Sequence, residues 1–415
     1  MDNFFLGIFA IAYFAEHVLD LWLTRLNLEH IARHEAEVPS YFQESITREE
    51  YRKGIAYNRE KARLGLVASW TEAPVFWGLL LSGFYGHVDW WARAFGYGSV
   101  VTGVIFLAVV SILFSAMALP FNLYSTFVIE QKYGFNRMTW KLWLADFCKR
   151  FLLSVVIGIP VLAAILWFMN RFLSGLWWLY VWVFLALVQL FLTSIFPVFI
   201  VPLFNKLTPL GEGSLKERIL GLARKVRFNL SGIYTMDGSK RSTHSNAFFA
   251  GMGRFRRIVL FDTLVNSLNE PEVLAVLAHE MGHNVKRHIR TGLVVALATS
   301  LAGLYVLSHL VSHSWFYTAF GFAQPSSHAA LFVFMKVAAS FTFFLSPLPA
   351  MLSRKHEYEA DRFSAETLGD PQPMIQGLVK LTKDNLSNLT PHPLYSFFYY
   401  SHPTVMERIR ALERV

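Results

Sequence analysis

Long apolar runs alternate with polar stretches along most of the chain. Seven runs, 4–24, 64–86, 99–120, 151–169, 177–203, 291–310 and 330–352, are long enough, or nearly so, to cross about 30 Å of hydrocarbon as helices. The first follows Met1 closely, with no basic region before it and no small-residue cleavage site, and it carries Glu16 and Asp20 near its end. It predicts a retained helix rather than a signal peptide. The polar stretches carry shorter patterns. Residues 215–226 repeat with a helical period, and 232–237, 244–250 and 257–262 read as short strands set off by Ser/Lys/Gly turns. Asn269-Glu270-Pro271 opens another helix, with Pro271 suited to its first turn and Val273, Leu274, Val276 and Leu277 forming a buried face. The pattern predicts a mainly α, polytopic membrane protein with seven transmembrane helices and a small β-sheet. Its order is 1–203 as spans one to five with their loops, 204–290 as the first part of a polar domain, 291–352 as spans six and seven, and 353–415 as the second part.

Composition narrows the class. The chain is 54% hydrophobic and only 16% charged, with 12 Trp and 38 Phe. A soluble domain carries about 25% charged residues, so disordered, fibrous and plain soluble proteins are excluded. The single cysteine, Cys148, excludes an intrachain disulfide framework and a Cys-based zinc cluster. The net charge of +9 would fit a nucleic-acid binder if it clustered on one domain. It does not. All of the 38 Lys and Arg except Arg93, Arg171 and Lys336 fall in 25–63, 121–150, 204–290 and 353–415. Positive residues stay on the cytoplasmic side. Both parts of the polar domain are therefore expected in the cytoplasm, with the amino terminus outside and the carboxyl terminus inside.

The helix opened at Asn269 contains His279-Glu280-Met281-Gly282-His283. Residues four apart share a helical face, so both imidazoles reach one metal ion. Glu280 projects beside the open coordination position, where it takes a proton from the attacking water. A catalytic zinc needs a third protein ligand. The stretch Ser353-Arg354-Lys355-His356-Glu357-Tyr358-Glu359-Ala360-Asp361 follows the last span and faces the same compartment. Glu357 and Asp361 are again four apart, so one can ligate while the other orients a ligand histidine from behind. Spacing does not choose between them, and His356, Glu359 and Glu366 are also able to ligate. Alone, the first motif could be two histidines on an amphipathic helix and the second an ordinary charged juxtamembrane helix. Their occurrence together on one side of the membrane favours a metal site.

Further motifs accompany these two. His244-Ser245-Asn246-Ala247-Phe248, Arg257-Ile258-Val259-Leu260-Phe261-Asp262-Thr263-Leu264, and Ser401-His402-Pro403 with Glu407-Arg408 occur in this order. Tyr57-Asn58-Arg59 and Tyr133-Gly134-Phe135-Asn136 precede them. In this combination the chain resembles the type I CaaX prenyl proteases, integral-membrane zinc metalloproteases that trim isoprenylated carboxyl-terminal peptides. The resemblance spans nearly the whole chain. It implies a zincin-like protease domain, with Glu357 as the third zinc ligand and Asp361 behind a ligand histidine. It implies that Asn246 and His402 contact the substrate backbone beside the scissile bond, His402 also donating to the oxyanion. On the residues alone, Asn246 is a polar residue at a strand start and His402-Pro403 is a turn. The resemblance also implies that the seven helices enclose a large water-filled chamber. Glu16, His17, Asp20, Glu72 and Lys336, within or near the ends of spans, are compatible with that, and Glu72 and Lys336 are the ones expected to face inward.

The expected activity is zinc-assisted peptide hydrolysis by a membrane-embedded metalloendopeptidase. One zinc ion per chain is held by His279, His283 and Glu357, with Glu280 as general base. Substrate adds as an extended strand beside 244–250. The partners are a peptide or protein substrate, prenylated as in the family, and the lipid bilayer; no nucleic acid is expected. An alternative keeps the enzyme class and makes the chain a quality-control protease for membrane proteins without prenyl groups. The chain is shorter than eukaryotic family members and carries no retention signal, so a bacterial inner membrane is expected in preference to the endoplasmic reticulum. A transporter with an incidental metal site is the reading from another class. The polar residues within the spans do not form the repeated, symmetric halves it calls for.

Overall fold

The computed structural model describes residues 1–172, 175–250 and 257–415. Residues 173–174, between the expected spans 151–169 and 177–203, lie outside these. The chain opens with α1 (Asp2–Arg33), α2 (Arg48–Leu81), α3 (Phe84–Ala94), α4 (Ser99–Tyr133), α5 (Trp140–Arg171) and α6 (Trp177–Phe204). Then come β1 (Leu207–Pro209), α7 (Ser214–Lys225), β2 (Gly232–Met236), β3 (Ala247–Ala250), β4 (Arg257–Phe261), α8 (Asp262–Ser267) and α9 (Glu270–Val285). The rest is helical: α10 (His288–Leu310), α11 (Ser314–Thr318), α12 (Ser327–Leu345), α13 (Pro347–Leu368), α14 (Gln372–Asp384), α15 (Pro393–Tyr399) and α16 (Val405–Leu412). Among the described residues, seven helices are long and apolar enough to span a membrane: α1, α2, α4, α5, α6, α10 and α12.

Several helices outrun the apolar stretches that predict them. The polar segment 25–63 is mostly the far end of α1 and the first half of α2. Hydropathy marks where a helix meets hydrocarbon, whereas backbone bonding continues into water until something stops it. At α2 the start is fixed by a capping box: the Thr47 hydroxyl accepts from the Glu50 amide at 3.2 Å, and the Thr47 amide donates to the Glu50 carboxylate at 2.8 Å. At the seventh span the helix ends at Leu345, short of the predicted 352. A new helix opens with Pro347, whose ring suits a first turn and lacks the N–H that a continuing helix needs.

The spans pack tightly at one end. Phe9, Phe76, Tyr85, Phe106, Phe316, Phe320 and Phe332 are buried together there with Trp177 and Leu307. These residues come from the amino ends of α1, α4, α6 and α12, the carboxyl ends of α2 and α10, and α3 and α11 with the turn after it, opposite the sheet. Beyond them the packing opens. Residues 58–72, 111–128, 147–165, 182–196 and 289–306 contain no buried residue. A helix inside a filled bundle buries one face, so these five stretches pack only loosely on the rest of the bundle. The accessible surface agrees: 21773 Å², against about 16,000 Å² for a compact chain of this mass. Glu72 and Lys336, facing each other across α2 and α12 at 3.4 Å, belong to this open belt.

The sheet runs in the order β1-β2-β4-β3, with β2 and β4 parallel and both outer pairs antiparallel. β1 escapes sequence reading because three residues ending in Pro209 carry no alternation. Strand β3 starts at Ala247, later than the predicted 244. The His244 side chain is drawn away by Asn385, its Nδ1 lying 2.8 Å from Oδ1, and it stacks on Phe135 at 4.0 Å. Ile258 and Leu260 of β4 and Ala247 of β3 bury against Val273, Leu277, Ala278 and Met281 of α9. The sheet therefore holds α9 on one side and leaves β3 as an edge.

Candidate active site

α9 is well specified locally. Asn269 Oδ1 accepts from the Glu272 amide at 3.0 Å, and the Asn269 amide donates to Glu272 at 2.9 Å. Glu272, buried, is paired in turn with Lys380 of α14 at 2.7 Å. The helix packs against α13 so closely that a Cβ at Gly282 would stand 3.2 Å from the Ala360 Cα and 3.1 Å from the Phe363 ring. The Ser364 hydroxyl donates to the Ala275 carbonyl at 2.7 Å and pins the two helices. Close approach is what lets a side chain from α13 meet two from α9.

Three donor groups converge at that contact. His279 Nε2 lies 3.2 Å from His283 Nε2, and Glu357 reaches them with Oε2 at 3.5 Å from the first and Oε1 at 3.3 Å from the second. Atoms bound at about 2.0–2.1 Å to one tetrahedral centre stand ~3.3–3.4 Å apart. The arrangement therefore has the spacing of a three-ligand metal site. Its chemistry agrees. Glu357 Oε2 is buried without a well-formed hydrogen bond, its nearest nitrogens being His279 Nε2 at 3.5 Å and Arg408 Nη1 at 3.6 Å, which leaves it free to take a metal ion. Burial disfavours a charged His279, yet its hydrogen bonds to Asp361 and Glu357 push its pKa up to about 9. The pocket favours positive charge. Burial would also raise Glu357, but the two histidines and Arg408 hold it well below the usual carboxylate range.

A second layer holds the donors in place. Asp361 Oδ1 lies 2.8 Å from His279 Nδ1, and both its oxygens accept from the Arg408 guanidinium of α16, at 2.6 and 2.8 Å. This decides between the two carboxylates that spacing left equal: Glu357 faces the convergence point and Asp361 is occupied behind His279. Behind His283 stands His288, Nδ1 to Nδ1 at 3.1 Å, with its own Nε2 at 2.9 Å from Glu359. His356 stacks on His288 at 4.0 Å, which removes it and Glu359 as rivals for the metal. Sequence reasoning missed the roles of Arg408 and His288. The first was visible within a matching motif, and the second only as a histidine at the mouth of an apolar span.

Glu280 lies between the two ligands in sequence and is mostly buried. Burial raises its pKa, with His279 and His283 pulling the other way. His402, exposed at the mouth of the site, stands 3.4 Å from Glu357 Oε1 through Nε2, and partial loss of water around its ring lowers its pKa. Asn246 is placed differently. It is exposed at the start of the edge strand, its Oδ1 accepting from the Ala247 amide at 2.8 Å and its carbonyl from the Phe261 amide at 3.1 Å. The amino-terminal motifs build a joint beneath the strand: the Tyr57 hydroxyl donates to Glu130 at 2.8 Å, and Glu130 reaches His244 at 3.4 Å.

Comparison with known proteins finds two family models along the chain. A family model described as CAAX prenyl protease N-terminal, five membrane helices, matches residues 27–206, and the model for Peptidase family M48 matches residues 209–415. The chain is 35% identical to CAAX prenyl protease 1 of Saccharomyces cerevisiae, over 98% of its own length and 94% of that protein. It is 34% identical to a CAAX prenyl protease 1 homolog of Arabidopsis thaliana, covering 98% and 96%, and 32% identical to one of Homo sapiens, covering 95% and 92%. The crystal structure of S. mikatae Ste24p matches with a TM-score of 0.92 at 34% identity, covering 98% of this chain and 99% of that one. These relatives are eukaryotic, and they lend no support to the expected bacterial inner membrane.

Proposed function

The chain belongs to the CAAX prenyl protease family of M48 peptidases, multi-pass membrane metalloproteases, and from that premise we propose a zinc enzyme that trims the carboxyl-terminal peptide of prenylated proteins. The observation that supports it best is the convergence of His279, His283 and Glu357, with donor atoms all within 4.8 Å of one another. These three residues would hold the ion, and zinc bound there would supply Lewis acidity toward the scissile carbonyl and the attacking water. Glu280 takes the proton of that water and passes it to the leaving amine. Asp361 keeps His279 in the tautomer that offers Nε2. His402, neutral near pH 7, donates to the carbonyl oxygen as it gains charge. Asn246 and edge strand β3 take the substrate backbone as an added strand.

The domain plan goes with this reading. Spans one to five occupy 1–203, the protease domain is built from 204–290 and 353–415, and spans six and seven at 291–352 form a hairpin between its halves. The distribution of Lys and Arg supports a cytoplasmic site. The test is mass spectrometry of products from matched farnesylated and unmodified peptides, with a chelator control. Cleavage that prefers the farnesylated peptide, stops with the chelator and returns with zinc is expected. Equal cleavage of both peptides would transfer the assignment to the quality-control reading. Cleavage indifferent to chelation would remove the metal mechanism.

A further inference from the structure

The two histidine ligands are braced in unlike ways. His279 leans on Asp361, a carboxylate locked by Arg408. His283 leans on another imidazole, His288, at 3.1 Å between the two Nδ1 atoms. We propose that His288 is the positioning residue of the metal site, setting the orientation and tautomer of His283 through a relay that ends on Glu359. The inference rests on His279, His283 and Glu357 being the ligands.

The hydrogen-bond directions follow from one condition. If His283 gives Nε2 to a metal, its Nδ1 carries the proton and must donate. His288 Nδ1 is then the acceptor, so the proton of His288 sits on Nε2. That nitrogen lies 2.9 Å from Glu359, which accepts. Each tautomer is fixed by its neighbour, and the outermost acceptor is a carboxylate reaching solvent, with its side chain 39% exposed. His288 itself is buried, 6% exposed, and its ring lies flat on His356 at an interplanar angle of 6°. It cannot swing away without breaking both contacts.

The backbone places His288 with some effort. α9 ends at Val285, and Arg287 adopts a left-handed conformation, φ 65°, before α10 begins at His288. A long side chain persists there only when the surroundings impose it. This turn carries the chain from the protease helix into the sixth span and brings His288 back beneath His283. Helix α13 completes the arrangement by supplying His356 and Glu359 on either side of Glu357, so the helix that gives the third ligand also braces the second.

The full-length protein, purified in detergent and loaded with zinc, is challenged with excess chelator and the release of zinc is timed. His288→Leu should release zinc roughly 10–100-fold faster than the parent, the usual effect of losing a partner behind a ligand. His288→Asn, whose amide oxygen can accept from His283, should recover most of the parent's retention. Release from His288→Leu at the parent's rate would overturn the proposal, and so would an Asn variant no better than Leu, which would mean packing alone. If the Leu variant does not fold, Glu359→Leu at its more exposed position carries the test: faster release supports the relay and an unchanged rate overturns it. A parent that retains no zinc would instead sink the ligand assignment beneath the proposal.

Discussion

Glu280 is the residue on which hydrolysis should depend most and metal binding least. Glu280→Gln removes the base and leaves the three donors intact. Zinc content should match the parent while turnover falls by ~10²–10⁴-fold; comparable turnover at neutral pH would take Glu280 out of the mechanism. Glu357→Ala should purify without zinc, whereas Asp361→Ala should keep it with about 10–100-fold weaker affinity, as metal analysis and titration would show. Arg408 gives a different signature because its guanidinium is buried against Asp361. Arg408→Leu takes the charge partner from buried Asp361 and leaves it only His279, and a loss of up to about 3–5 kcal/mol should appear as a lower unfolding midpoint. Arg408→Lys should restore little of it, since an ammonium cannot bridge both oxygens. The convergence of His279 and His283 was legible in the sequence because a four-residue spacing is itself geometry. The choice of Glu357 over Asp361 was not, because both share that spacing. The residue that settles it in space lies 47 positions beyond Asp361.

Helices α9 and α13 succeed as a pair because one position has no side chain. Gly282→Val places methyl groups where the Ala360 backbone and Phe363 ring already stand. Overpacking of this kind typically costs about 1–3 kcal/mol, and it should push the helices apart. Zinc affinity should therefore fall although no ligand or partner is touched. A Gly282→Val protein that binds zinc like the parent would show that the helix contact does not set the site. The glycine was visible in the motif, but nothing in the sequence said which helix would press on it. Likewise the seven spans were legible from hydropathy, while their extensions into water were not, because those turns are fixed by capping and by packing onto the polar domain. The strand beginning at Ala247 was misjudged by three residues for a similar reason: His244 is claimed by Asn385, 141 residues away in sequence.

Across the whole molecule, contact between α9 and α13 requires that α10 and α12 cross the membrane and return. Cysteines introduced one at a time in a Cys148→Ser background test this. Thr318→Cys and Glu217→Cys, both at exposed positions, should label oppositely with an impermeant thiol reagent on intact cells or sealed vesicles. Labelling of both from one side would overturn the hairpin and the shared site with it. The same threading sets an order of events during synthesis. A ribosome delivers His279 and His283 before the sixth and seventh spans exist, and Glu357, His402 and Arg408 only after both. Until that hairpin has been inserted and α13 and α16 have docked, the nascent polypeptide holds two of the three proposed ligands, with neither Asp361 behind His279 nor Glu359 at the end of the His288 relay. With the ligands as proposed, the enzyme would stay inert while it is being made, and its site would close only once its last two spans are in place.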